Sequence, residues 1–155
     1  MERRRQSYSV VVAGALIVAL AIAAQAQYGG GSGTADDPYL IATPEQMNAI
    51  GADPNDWDKH FQLIADIDLA QYTATQFNLI GIPYRAHANY SAVPFTGVFD
   101  GNNHTISNLY INRTNVGTGF FGYIEDAEIR NVRLVDVNIT NGNNNTGALA
   151  GGQQT

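Results

Sequence analysis

The sequence predicts an all-β solenoid: a short parallel β-helix of about four coils, plugged at its N-terminal end by one helix. Three observations predict it. A six-residue pattern, I-x-[ND]-[ILV]-x-[LI], occurs at residues 64–69, 106–111 and 129–134. An apolar-x-Gly pattern alternates with it, ending at Gly81, Gly101, Gly122 and Gly151, at intervals of 20, 21 and 29 residues. From residue 61 onward, short stretches of period-two alternation lie between clusters of Asn, Asp and Gly, without helical periodicity. Repeats of roughly 20–30 residues belong to chains that stack one small unit many times instead of folding around a single centre.

Residues 1–26 stand apart. Arg3, Arg4 and Arg5 precede an apolar run over 10–24, and Ala24-Gln25-Ala26 is a small-x-small cleavage site. This is the layout of a secretory signal peptide, and the run is shorter than the roughly 20 residues that span a bilayer. The leader's net +2 leaves with it, so the formal charge moves from −6 to −8. Such a surface repels phosphate backbones, which excludes nucleic acid as a partner, and no membrane contact is expected after the leader is removed. There is no cysteine. An exported chain of this kind is held by burial and backbone pairing alone, and thiol chemistry is excluded.

Residues 27–37 read as a flexible linker around Gly29-Gly-Gly-Ser-Gly33. Residues 38–60 read as an N-terminal cap. A short strand over 38–41 leads to a helix over 44–50, with Thr43 capping, Pro44 at the first helical position, Gln46 closing a capping box and Gly51 as the stop. Such a helix closes a first coil whose interior would otherwise meet water. The acidic turn Asp53-Pro-Asn-Asp-Trp57-Asp58 departs from a calcium loop, because Trp57 stands where an oxygen ligand belongs, so it reads as a solvated turn with Trp57 packed beneath it.

Residues 61–155 read as coils that are truncated at the C-terminal end. Alternating strands are expected over 61–69, 98–99, 105–111 and 135–140, with Val135, Val137 and Ile139 on one face. Residues 71–94, with Pro83 and Pro94, are the irregular stretch. The six-residue pattern places Ile64, Ile106 and Ile129 in one shared column, with Asp66, Asn108 and Asn131 as equivalent corners, since Asn and Asp tolerate left-handed backbone and bond their own main chain.

Thr118-Gly-Phe-Phe-Gly122 and Thr146-Gly-Ala-Leu-Ala-Gly151, with residues 129–139 between them, resemble the GLUG repeat, a glycine-bracketed apolar motif. Residues 33–41 and 95–106 resemble the segments that precede such repeats in bacterial and archaeal surface proteins. The resemblance covers residues 33–152. It implies a right-handed parallel β-helix in a secreted or surface-attached protein, and its motif brings no catalytic residues with it. The chain departs from the repeat at Ala150, which replaces a larger apolar residue, and at the end, where Gly152-Gln-Gln-Thr155 stands in place of a further strand and cap.

Chemistry is sparse. His60, His87 and His104 match no metal-binding spacing, so no metal site and no cofactor is expected. Asp66 and Asp68 lie two apart, the nominal spacing of paired carboxylates, but the corner reading takes Asp66 off the strand face. Arg113, Arg130 and Arg133 have no acidic cluster set against them. The sequons at Asn89, Asn103, Asn112, Asn138 and Asn144 are what chance gives in a chain rich in Asn and Thr. Tyr72, Tyr84, Tyr90, Tyr110 and Tyr123 offer rings for sugar stacking. No catalytic residue is assigned and no binding residue is identified. The reading is a non-catalytic structural or adhesive module, secreted or on the cell surface, with extracellular polysaccharide or protein as the partner class. The alternatives are a carbohydrate-binding module and the N-terminal part of a polysaccharide-active enzyme.

Exported protein is expected to begin near Gln27. N-terminal sequencing that finds residues 1–26 still attached contradicts the leader assignment.

Overall fold

A strand of two to four residues cannot satisfy its own backbone or cover its apolar side chain. It must find another strand about 4.8 Å away. The computed structural model describes residues 27–82, 92–114, 117–141 and 145–154. The leader expected over 1–26, and residues 83–91 of the irregular stretch, lie outside the described residues. Among the described residues, eleven short strands run in order: β1 (Tyr39–Ile41), β2 (His60–Leu63), β3 (Ile67–Asp68), β4 (Val98–Asp100), β5 (Thr105–Ser107), β6 (Tyr110–Arg113), β7 (Ile124–Glu125), β8 (Glu128–Arg130), β9 (Arg133–Val135), β10 (Asn138–Asn141) and β11 (Gln153–Gln154). One α-helix, α1 (Pro44–Ala52), and one 3-10 turn, Pro54–Asp56, complete the β-rich set of elements among the described residues.

Every pairing among these strands is parallel. The sheets run β1-β2-β4-β8, β3-β5-β9, β6-β10 and β7-β11. Each stretch of chain therefore lays its strands, as one tier, on those of the stretch before. Like residues align in columns: Tyr39, Phe61, Phe99 and Ile129 in one, Ile67, Ile106 and Leu134 in the next, Ile111 and Ile139 in a third, and Ile80, Phe121 and Ala150 in a fourth. Phe61, Phe95, Phe121, Phe120 and Phe99 link these columns through the interior, with successive ring centroids 5.0–6.1 Å apart. Each such ring, fully buried, contributes about 1.5–3 kcal/mol.

The shared column expected for Ile64, Ile106 and Ile129 does not form. Ile106 lies between Ile67 and Leu134, Ile129 lies on Phe99, and Ile64 is 45% exposed. The equivalence of Asp66, Asn108 and Asn131 fails with it. Asn108 instead aligns with Asp136, both left-handed at φ 57° and 53°, and the Asn108 amide donates to the Val135 carbonyl. Asn131, φ 54°, lies beside Asn102 and Asn103, φ 47° and 63°. The physical unit is five residues, two inward positions and then a corner. Asp126, Asn131 and Asp136 are all left-handed and five apart, and between them Ala127 and Ile129, then Val132 and Leu134, then Val137 and Ile139 pack against the core. The single strands expected over 61–69, 105–111 and 135–140 are consequently each broken in two, the last two at Asn108 and Asp136.

The first tier is closed over. α1 keeps the expected capping box: the Gln46 amide donates to Thr43 Oγ1 at 3.2 Å and the Thr43 amide to Gln46 Oε1 at 3.2 Å. Met47 and Ile50 face the core, and Trp57, 2% exposed, donates its indole N–H to the Ile50 carbonyl at 2.7 Å. Gly51 does not stop the helix. It lies inside α1, where an added Cβ would collide with the Asn78 carbonyl. Residues 29–33, expected as linker, are hydrogen-bonded to the chain around β1: Gly29 N–H to Leu40 O, Leu40 N–H to Gly30 O, and Ser32 N–H to Asp37 O. Gly31 has φ +83°, and a Cβ there would run into the Pro38 carbonyl, so the glycines fit a strap instead of loosening a tether. Tyr28, leading into the strap, is buried against Tyr39 and Phe61.

Asn131→Leu is expected to lose about 1–2 kcal/mol more than Asn138→Leu, because a β-carbon-crowded left-handed residue carries that cost and the outward strand position of Asn138 does not. Urea titration of both variants measures it, and equal losses contradict the corner assignment.

Candidate functional site

The five-residue unit puts polar side chains at corners and on outward strand positions, so neighbouring tiers bring acids, amides and one guanidinium together on the outside. Asp66 Oδ1 accepts from the Thr105 amide at 2.9 Å and lies 3.1 Å from His104 Nδ1. Asp68 accepts from Asn108 Nδ2 at 2.8 Å and from the Ala70 amide at 3.0 Å. Asp100 accepts from Arg130 Nε at 2.8 Å, Asn131 Nδ2 at 3.0 Å and the Asn102 amide at 2.8 Å. Arg130 also donates Nη1 to Glu128 at 2.6 Å. Asn102 donates to the Leu63 carbonyl at 3.1 Å. The ladder therefore stitches tier to tier on the side where the apolar columns cannot.

Its electrostatics follow from these bonds. The Thr105 amide, then His104, hold the Asp66 carboxyl below the ordinary carboxylate range. Asn108, then the Ala70 amide, do the same for Asp68. Partial burial opposes ionisation of Asp100, but Arg130, Asn131 and Asn102 together outweigh it and the carboxyl is again lowered. A general acid at neutral pH needs a raised carboxyl pKa, so these three are placed as acceptors and not as proton donors.

The residues singled out by sequence are spread over the molecule. His60 is in β2, His104 is on the ladder, and His87 lies outside the described residues. No group of three or more His, Cys, Asp or Glu able to hold a metal occurs among the described residues. Arg113 donates to the Thr75 and Phe77 carbonyls at 2.8 and 2.7 Å, tying the irregular stretch to β6, and burial lowers its pKa. Its Nε is buried without a partner. Arg133 is exposed in β9. Tyr72 packs edge-on to Phe77 and Tyr110 sits half-buried in β6, while Tyr84 and Tyr90 lie outside the described residues.

One feature was missed. Between the strap and the acidic turn lies a recess of about 420 Å³ lined by Gln27, Tyr28, Ser32, Tyr39, Asp53 and Asp56. Tyr28 donates to Asp56 Oδ2 at 3.0 Å, and burial, then the charge of Asp56, push its phenol pKa far up. The Tyr39 ring packs against that of Tyr28, tilted by 36° with centroids 4.6 Å apart. The signal was present as Tyr28 and Tyr39 flanking the glycines, hidden because a Gly-Ser run reads as a tether.

The chain is 34% identical over 128 residues to Halomucin of Haloquadratum walsbyi, a match of 78% of this chain and 1% of that protein. It is 35% identical over 115 residues to a putative Gly-rich membrane protein of Evansella cellulosilytica, 73% of this chain and 13% of that protein. The chain thus spans a small part of the curated relatives it matches. No family model matches it, and no solved structure does. No described helix is long and apolar enough to cross a membrane.

The ladder carboxylates have folded pKa values below their unfolded ones. Their stabilisation is fully present above the unfolded value, about 4, and is lost as pH falls below it through the lower folded values. Melting temperature is expected to fall between about pH 5 and pH 2, less steeply for Asp100→Asn. An identical acid slope in that variant contradicts the ladder's role.

Proposed function

We propose that this chain is a non-catalytic structural module of an exported surface protein, its tiers wound as a short right-handed parallel β-helix of GLUG-like repeats. The observation that carries this reading is the parallel register, in which apolar columns run inside and the ladder acids are engaged as acceptors between tiers outside. A fold arranged this way holds a fixed length and a polar exterior, which suits a spacer or adhesive segment. The partial match to much longer relatives, one named Halomucin and one named as a Gly-rich membrane protein, supports a surface location. The expected leader supports export. Extracellular polysaccharide or protein is the partner class.

A second reading, carbohydrate binding, is favoured by the recess. It offers the Tyr39 ring beside the carboxylates of Asp53 and Asp56, the combination that takes a sugar face and its hydroxyls.

A membrane-impermeant label applied to intact cells of the native host is expected to modify the protein. Labelling only after lysis contradicts the surface reading. On a glycan array, binding that disappears in Tyr39→Ala selects the second reading, and the absence of binding to any glycan removes it.

A further inference from the structure

We propose that the recess between the strap and the acidic turn is the seat of the protein's own mature N-terminus: the α-ammonium of Gln27, freed when the leader is removed, pairs there with the carboxylates of Asp53 and Asp56. This rests on the export reading and adds to it what the new terminus does. Gln27 and Tyr28 line the recess together with Asp53 and Asp56. Among the described residues, no lysine, arginine or histidine lines it, so two carboxylates face one space without a basic side chain. Lys59, close by in sequence, is engaged by Asp58 at 2.7 Å. Asp53 Oδ1 accepts from the Asn55 amide at 3.1 Å and from Asn55 Nδ2 at 2.9 Å, and Asp56 Oδ2 accepts from the Tyr28 hydroxyl at 3.0 Å. These donors are neutral and leave both carboxylates their charge.

A second observation fixes the terminus at this spot. The residue after Gln27 belongs to the core. Tyr28 is 8% exposed, its ring centroid lies 4.6 Å from that of Tyr39 and 5.5 Å from that of Phe61, and its hydroxyl is held by Asp56. Gln27 Nε2 donates to that same hydroxyl at 3.2 Å. Chain ends fray unless they are tied down. This one is tied one residue from its start, and consecutive Cα atoms are about 3.8 Å apart. Cleavage after Ala26 therefore releases the new charge beside the recess. Burial, then the charge of Asp56 and more weakly that of Asp53, push the Tyr28 phenol up, so the field of both carboxylates reaches the point where the terminus is held. Gln27 itself is exposed, so the pair forms at the mouth of the recess, where salt screens it. While the leader is attached, the nitrogen of residue 27 is an uncharged amide. The pair exists only in the processed protein.

The pairing has a chemical consequence. A free N-terminal glutamine cyclises: its α-nitrogen attacks its own Cδ, the new C–N bond closes a lactam, the Cδ–Nε2 bond breaks, and ammonia leaves. A protonated nitrogen has no lone pair for that attack, and Nε2 is held on Tyr28. Lys59 is the only lysine of the chain, so the mature protein carries two amines and each can be followed separately. Intact mass of the exported protein is expected to show a chain that begins at Gln27 with its side-chain amide in place. Near pH 8, about the ordinary α-amino pKa, an amine-reactive ester is expected to label the terminus several-fold more slowly in the folded protein than in urea. High salt, and the double substitution Asp53→Asn with Asp56→Asn, are each expected to remove most of that difference. The double variant is also expected to lose ammonia faster on storage. A chain that begins anywhere but Gln27 overturns the leader assignment together with the proposal. A start at Gln27 with the terminus already cyclised, with equal labelling in the folded protein and in urea, or with protection unchanged in the double variant overturns the proposal alone, the last because shielding by the fold then accounts for the slow labelling. Circular dichroism checks that the double variant keeps its fold, and the comparisons in urea and in salt on the unsubstituted protein stand without it.

Discussion

Everything in this molecule depends on one constraint: a three-residue strand is stable only where an equivalent strand lies parallel to it, one backbone spacing away. That requirement sets the rest. Successive stretches of chain must bring their short strands into parallel register, so they need corners that turn sharply without a helix. Left-handed Asn and Asp supply them at Asp126, Asn131 and Asp136. Because the corners recur every five residues, two inward positions fit between them, and equivalent inward positions from successive tiers fall into columns. The Phe-rich interior fills those columns with the largest rings where the tiers are covered on both sides.

The same geometry explains why the acids are where they are. An inward-outward alternation places every second strand residue on the exterior, and the parallel register sets it beside its counterpart one tier away. An exposed ion pair on such a surface contributes little by itself. Asp100 differs because Arg130, Asn131 and Asn102 converge on one carboxylate, so a corner amide, a strand guanidinium and a main-chain N–H are fixed together. The ladder is then a by-product of the stacking that in turn reinforces it. Carboxylates that would look like a catalytic pair in isolation are, in place, acceptors for the next tier.

Much of this was legible in the sequence, for a physical reason. The β-rich class follows from short period-two stretches, and the first-end helix from the Thr43-Pro44-Glu45-Gln46 signature, whose hydrogen bonds are local and so visible locally. Trp57 under the acidic turn was legible on the same grounds. What was not legible depended on contacts between distant residues. The six-residue pattern caught real inward positions at Ile106 and Ile129 but one unit out of step, because Ile-x-Asn fits the end of any five-residue unit. Ile64 shared the letters of Ile106 and Ile129 without their place. Gly51 looked like a helix stop because its other role, room for the Asn78 carbonyl, lies 27 residues away. The strap was lost because glycine gives the same letters to a mobile tether and to a backbone pressed against another backbone.

The last step concerns the gradient along the stack. Interior residues of the middle tiers are covered from both sides, and the first tier is covered by a helix, a strap and the Tyr28 ring. Among the described residues, β8, β9 and β10 have a strand on one side only. Residues of identical chemistry, Ile111 and Ile139, therefore differ in what they contribute, one removed wholly from water and the other in part. Among the described residues, local opening costs least where the inward residues are only partly covered, at β8, β9 and β10, and most at the Phe99 and Phe121 layer.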